Sequence, residues 1–217
     1  MQAMTERRTI SDFRAVHPGE PVFLLASGPS LSRHDLTPLD ERRVMGMNRS
    51  TLLYDRARYH CAMDPGLFRR NPELLRKAPV LFTFPGRPFG IPIRQLDHRG
   101  ERFSFDLEEG IYSGWTISYF TLQVAVWLGF TRIYFLGLDL THTAEGSHFF
   151  GRDRPRVDRE QLRIFPEMRR ALAAAAAALE GTGVEVYNCS PITDFDAFPR
   201  VAYEEALART APAVRPG

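Results

Sequence analysis

Apolar residues along the chain gather into short unbroken runs separated by longer stretches of mixed character, and the runs have the length of buried strands. The first, Pro21-Val22-Phe23-Leu24-Leu25, follows a segment in which Ser11 is placed to cap a short helix over 12–16 and His17-Pro18-Gly19 to stop it. Further runs predict strands over 43–47, 58–63 and 78–84. The first of these stops at Asn48-Arg49-Ser50 and the second at Asp64-Pro65-Gly66. After Pro85-Gly86-Arg87-Pro88 the pattern is lost as far as Glu109, a stretch without an assigned element in which a lid or insertion fits. It returns as a helix over 115–128, capped by Ser113 and ended by Gly129, and then a strand over 132–137. An alanine-rich helix over 158–180 ends at Gly181-Thr182-Gly183, ahead of a last strand over 184–188.

Continuous apolar strands that alternate with helices make a sheet buried on both sides. The expected fold is α/β: a doubly wound, mostly parallel Rossmann-like sheet with helices on both faces, which gathers ligands at the carboxyl ends of its strands. The chain then divides into an N-terminal helical segment over 1–20, a nucleotide-binding and catalytic domain over 21–200, and a C-terminal helix and tail over 201–217. A length of 217 residues suits one such domain.

Composition narrows the function. Twenty-eight basic against 26 acidic residues leave a net charge of +2, too balanced to point to nucleic acid, and the basic clusters at Arg69-Arg70 and over 152–163 read as solvated faces. Cys61 and Cys189 are the only cysteines, which excludes a disulfide framework and a cysteine zinc site. The first 17 residues are charged, and no run is long and apolar enough to span a bilayer. The expected location is therefore cytoplasmic, with docking at the inner face of the membrane compatible with it and no transmembrane segment. The oligomeric state has no sequence signature.

The candidate chemistry lies where strands end. In Ser27-Gly28-Pro29-Ser30 a glycine directly after a buried strand lets backbone approach an anion, with N–H and hydroxyl donors beside it; neither the Walker A nor the G-x-G-x-x-G spacing is present. Asn48 can donate to and accept from a base edge or a ribose hydroxyl. Asp64 and Asp139 follow apolar strands and can face one cleft, holding Mg²⁺ against phosphate oxygens or orienting a sugar. Ser113-Gly114 open a helix whose free N–H groups suit a second phosphate contact. The loop from Thr141 to Gly151 is dense in groups that move protons near neutral pH, with His148 the preferred general acid or base and His142 the alternative.

In order, Ser27-Gly28-Pro29-Ser30-Leu31, Asn48, Asp64, Ser113-Gly114, Leu128-Gly129-Phe130 with Ile133, Gly137-Leu138-Asp139 and His148 resemble the 6-hydroxymethylpterin pyrophosphokinase-like superfamily and, more distantly, the bacterial sialyltransferases that use CMP-sialic acid. The second resemblance implies that Ser27 to Ser30 and Asn48 hold CMP, that Ser113-Gly114 lie near the nucleotide, and that His148 is the base. Thr141 stands where those transferases carry a phosphate-binding Tyr, and Ala26 where the family has Gly. The expected function is transfer of a sugar from a nucleotide-sugar donor, CMP-linked being one form, to a glycan or small-molecule acceptor. That reaction needs no metal or other cofactor. The alternatives are a pyrophosphokinase acting on a pterin-like alcohol, with Mg²⁺ on Asp64 and Asp139, and a non-catalytic nucleotide- or glycan-binding module.

Overall fold

The computed structural model describes residues 8–141, 146–151, 155–193 and 195–211, with only the backbone of 155–158 and 160–162. Along the chain run the strands β1 (Pro21–Leu25), β2 (Val44–Met47), β3 (Tyr59–Cys61), β4 (Val80–Thr83), β5 (Ile91–Pro92), β6 (Gln95–Asp97), β7 (Ile111–Tyr112), β8 (Arg132–Leu136) and β9 (Glu185–Asn188). The helices are α1 (Pro65–Arg70), α2 (Pro72–Leu75), α3 (Ile117–Trp127), α4 (Pro155–Leu179) and α5 (Tyr203–Arg209).

Seven strands form one sheet in the order β5-β4-β3-β2-β1-β8-β9, every pair parallel. The expected α/β fold is therefore present. β1 is an interior strand, with Phe23 opposite Val44 on one side and Tyr134 on the other. The chain leaves β1 toward β2 and returns to its other edge as β8, which makes the carboxyl ends of β1 and β8 the point where strand order reverses and a ligand crevice opens.

Period-two alternation assigns each strand residue to a face. Val22 and Leu24 pack with Ile133, Phe135, α3 and the Ala171, Leu172 and Ala175 stripe of α4, while Phe23 and Leu25 pack with Tyr134, Leu136 and Tyr203 of α5. Small alanines let α4 approach closely. Ten of the eleven residues of α3 are buried, as their composition requires: the helix packs against β1, β2, β3, β7 and α4. Its one buried amide, Gln123, is fully used. Nε2 donates to Tyr112 O (2.7 Å) and Tyr119 O (3.0 Å), and Oε1 accepts from Ser104 N (3.1 Å) and Tyr112 N (3.3 Å).

Several elements depart from the pattern. Instead of a helix over 12–16 there is a single 3-10 turn, Ser11–Phe13. Ala15 is left-handed (φ 51°), and the N–H groups of Ala15 and His17 donate to Trp127 O (2.9 Å) and Leu128 O (2.8 Å) at the end of α3, so tertiary bonds replace helical ones. α3 starts at Ile117, and Thr116, not Ser113, caps it by accepting from Ser118 N (3.3 Å). The unassigned stretch contains β5 and β6, only two and three residues long, too short for any periodicity to show. α1 and α2 escape for the same reason; each is short and starts at a proline.

Both thiols are buried, and burial pushes each up to about 12, so neither Cys61 nor Cys189 is a nucleophile at neutral pH. Among the described residues no helix is long and apolar enough to cross a membrane.

Candidate functional site

A cleft of about 770 Å³ opens at the carboxyl ends of β1, β2, β3 and β8, within the size range of small-ligand sites. Its floor is built around Asp139, 1% exposed, on the segment after β8. The carboxylate accepts from Ser30 N (2.7 Å), from the Ser30 hydroxyl and from the Ser190 hydroxyl, tying together the loops after β1, β8 and β9. Asn188 adds a second tie: its amide donates to Leu138 O (3.0 Å) and its side-chain oxygen accepts from Ser190 N (3.0 Å).

This knot changes what the loop after β1 offers. Gly28 N donates to Gly137 O (2.9 Å) and Ser30 N to Asp139, so two of the N–H groups expected to cradle an anion face inward. A Cβ on Gly28 would lie 2.5 Å from both Gly137 O and Asp139 Oδ2; only glycine permits that approach. Ser27 lines the cleft, and its buried hydroxyl has no protein partner.

Asn48 is similar. It follows β2 in a left-handed conformation (φ 47°), which asparagine tolerates better than most residues, and its buried Oδ1 has no protein partner. Beneath it, fully buried His60 donates from Nε2 to Asn48 O (2.9 Å), leaving Nδ1 as an unpaired buried acceptor. Gly46 makes room, since a Cβ there would come 2.4 Å from that Nδ1. Burial lowers the His60 pKa from 6.5 to about 4. Between these values the unfolded chain takes a proton that the folded chain refuses. The stabilisation is thus complete above pH 6.5 and is lost as pH falls toward 4, by about 3 kcal/mol. Urea titrations of the wild type and His60→Gln at both pH values measure it, and equal losses in the two would remove His60 as the cause.

The walls carry charge and apolar surface. Asp64 caps α1, accepting from Gly66 N (2.7 Å), and lies 3.8 Å from the Arg70 guanidinium. Arg49, after β2, stands 4.7 Å over the Phe150 ring, and the His148 imidazole stacks on the same ring at 4.7 Å. With Arg69, three guanidiniums line a cleft that contains two carboxylates. Trp115, the cap Thr116 and the first two residues of α3, Ile117 and Ser118, form another wall, and Ile164, Phe165 and Met168 of α4 an apolar one. Among the described residues no group of three His, Cys, Asp or Glu side chains is arranged to hold a metal ion.

Of the residues expected from sequence, Ser27, Gly28, Asn48, Asp64, Asp139 and His148 line this cleft. Pro29 and Ser30 are buried behind it. Ser113 is turned away, donating to His98 O (3.2 Å) and accepting from Gln95 (3.2 Å). Gly114 (φ 54°) packs under Tyr119, which a Cβ would meet at 2.4 Å, and Thr141 is half-buried outside the lining. His142 lies outside the described residues. Sequence reasoning missed Arg49 and Trp115, although each directly follows a residue it had singled out, and it read Arg69-Arg70 as solvated surface.

No family model and no curated protein matches the chain. Among solved structures, the chain is similar over 93% of its length to the MAf glycosyltransferase from Magnetospirillum magneticum AMB-1, with a TM-score of 0.59 and 15% identity, and spans 35% of that protein. Weaker matches are a variant of the sialyltransferase CST-II in complex with CMP (TM-score 0.49, 17% identity, 83% of this chain and 85% of that one) and the sialyltransferase CstII from Campylobacter jejuni in complex with CMP-3FNeuAc (0.47, 14%, 84% and 85%). At these identities the likeness is one of fold. No match was found to the pterin pyrophosphokinase-like superfamily.

Proposed function

We propose that the protein transfers a sugar from a nucleotide-sugar donor, CMP-linked in the form the sequence resemblance implies, to a glycan or small-molecule hydroxyl. The observation that carries this reading is the convergence of His148, three arginines and two residues with an unpartnered polar atom, Ser27 and Asn48, on one cleft at the strand-order reversal. A domain-long fold likeness to a glycosyltransferase supports it.

The arginines and the opening of α3 offset the phosphate charge of the donor and of the departing nucleotide. Ser27 and Asn48 supply hydrogen bonds that the protein itself leaves unmade. His148, its ring plane set by Phe150, takes the proton from the acceptor hydroxyl as that oxygen attacks the anomeric carbon and the C–O bond to the nucleotide phosphate breaks. Asp139 acts through the loops it ties.

A thermal-shift screen with CMP, UDP, GDP and ATP, each with and without Mg²⁺, tests the reading. At a hundredfold excess over Kd the preferred nucleotide stabilises by about 2.7 kcal/mol, which raises Tm by about 5 to 10 °C for a chain of this size. CMP acting without metal is the expected result. A shift confined to Mg²⁺-ATP would favour the pyrophosphokinase instead, and specific binding with no transfer product across donor and acceptor panels would favour the binding module.

A further inference from the structure

Four non-glycine residues among those described have left-handed backbone, and three of them, Asn48, Trp115 and Leu140, line the cleft. Asn48 belongs to the residue types that adopt this conformation most readily. Leu140 is held by Arg169, which donates to its carbonyl (2.9 Å). Trp115 (φ 61°) is a bulky aromatic in a conformation that suits glycine, and it is 38% exposed. Its surroundings hold it there. Trp115 N donates to His98 O (3.2 Å), the Ser113 hydroxyl donates to the same carbonyl (3.2 Å), and the His98 ring meets the indole edge-on at 4.7 Å. The other tryptophan contrasts with it: Trp127 is 5% exposed, in the core, with its indole N–H donating to Ile10 O (2.9 Å). Backbone strain and an exposed aromatic surface are both unfavourable in the folded chain alone, and both place an indole on the wall of the cleft.

We propose that Trp115 is the platform on which the nucleobase of the bound nucleotide stacks. The proposal rests on the nucleotide reading above and adds the partner of one side chain. Trp115 precedes Ile117, the first residue of α3, by two positions, at most about 7 Å of chain, a span comparable with the ribose between a 5′-phosphate and its base. A phosphate at the opening of α3 therefore brings the base to the indole. Stacking tolerates any base, since each has a π face; preference among bases then falls to the Asn48 amide.

The chain has two tryptophans and Trp127 is buried, so Trp115 reports on the cleft. The full chain is titrated with CMP and with ribose 5-phosphate, following tryptophan emission and binding heat together. CMP is expected to change the emission with the calorimetric midpoint, and ribose 5-phosphate to bind without that change. Trp115→Ala and Trp115→Gly should weaken CMP by about 5- to 150-fold and leave ribose 5-phosphate within about threefold, whereas Trp115→Phe, which keeps a ring, should hold CMP within about tenfold. Trp115→Gly suits the left-handed backbone and guards against a folding defect. If CMP binds the wild type and both truncated variants equally, the platform is overturned and the nucleotide reading stands. If truncation spares CMP and raises the KM of an acceptor, the platform serves a sugar and the base assignment is likewise overturned. If none of the nucleotides binds the wild type, both fall.

Discussion

Replacing His148 with alanine is expected to slow sugar transfer by about 10² to 10⁴-fold, the usual contribution of a positioned general base, while nucleotide affinity stays close to that of the wild type. The split follows from geometry. His148 touches the cleft from the segment after β8, stacked on Phe150, whereas the groups assigned to the nucleotide, Ser27, Asn48, Arg49 and the opening of α3, belong to other elements. Loss of the imidazole should lower kcat and leave the donor KM and the calorimetric Kd nearly unchanged, the signature of an interaction made only in the transition state. A His148→Ala chain that transfers sugar at the wild-type rate would sink the mechanism without touching the fold.

The second large effect is on stability. Asp139→Ala removes the acceptor for Ser30 N–H and for the hydroxyls of Ser30 and Ser190, all buried, and leaves the two hydroxyls, 3.3 Å apart, only each other as partners. An unsatisfied buried donor costs about 1 to 3 kcal/mol, so a total near 4 kcal/mol is expected once some relaxation is allowed. For a chain of this size that is a fall of about 8 to 16 °C in Tm. Asp139→Asn keeps one side-chain oxygen and should lose less. Thermal unfolding of the three proteins orders them, and a loss below about 1 kcal/mol in Asp139→Ala would contradict the role of the carboxylate as the tie among three loops.

How far the sequence carried depended on whether burial was uniform along an element. Pro21–Leu25 was legible residue for residue because four of its five residues are buried and a proline opens it. The same holds for the strand that begins at Arg132, which matched to within its final glycine. β5, β6 and β7 were illegible because a strand of two or three residues has no period; pairing partners fix it, not composition. The helix expected over 12–16 does not form and Ser11 makes no cap bond, lying inside the 3-10 turn that follows Ile10; what overrode the expectation is tertiary: the carbonyls at the end of α3 take the N–H groups of Ala15 and His17.

The candidate site divides in the same way. Its residues at strand ends could be read, since a parallel sheet of known direction brings every carboxyl end to one edge. Which of their atoms face the cleft could not be read, because that depends on pairs far apart in sequence, such as Ser30 with Asp139 and Asn48 with His60. Arg49 and Trp115 carry no motif. Each is marked only by its place after a strand or before a helix, and Trp115 by a backbone angle that no sequence reveals.

The interior place of β1 has a consequence for biosynthesis. One edge of β1 is met early by β2, but the other waits for β8, where Phe23 finally meets Tyr134. A nascent chain emerging from the ribosome therefore carries an open, fully apolar edge strand until residues 132–136 have been made, the kind of edge that pairs with other chains. Closure of the cleft and protection of that edge are one event, since the Gly28–Gly137 and Ser30–Asp139 bonds form only when β8 docks.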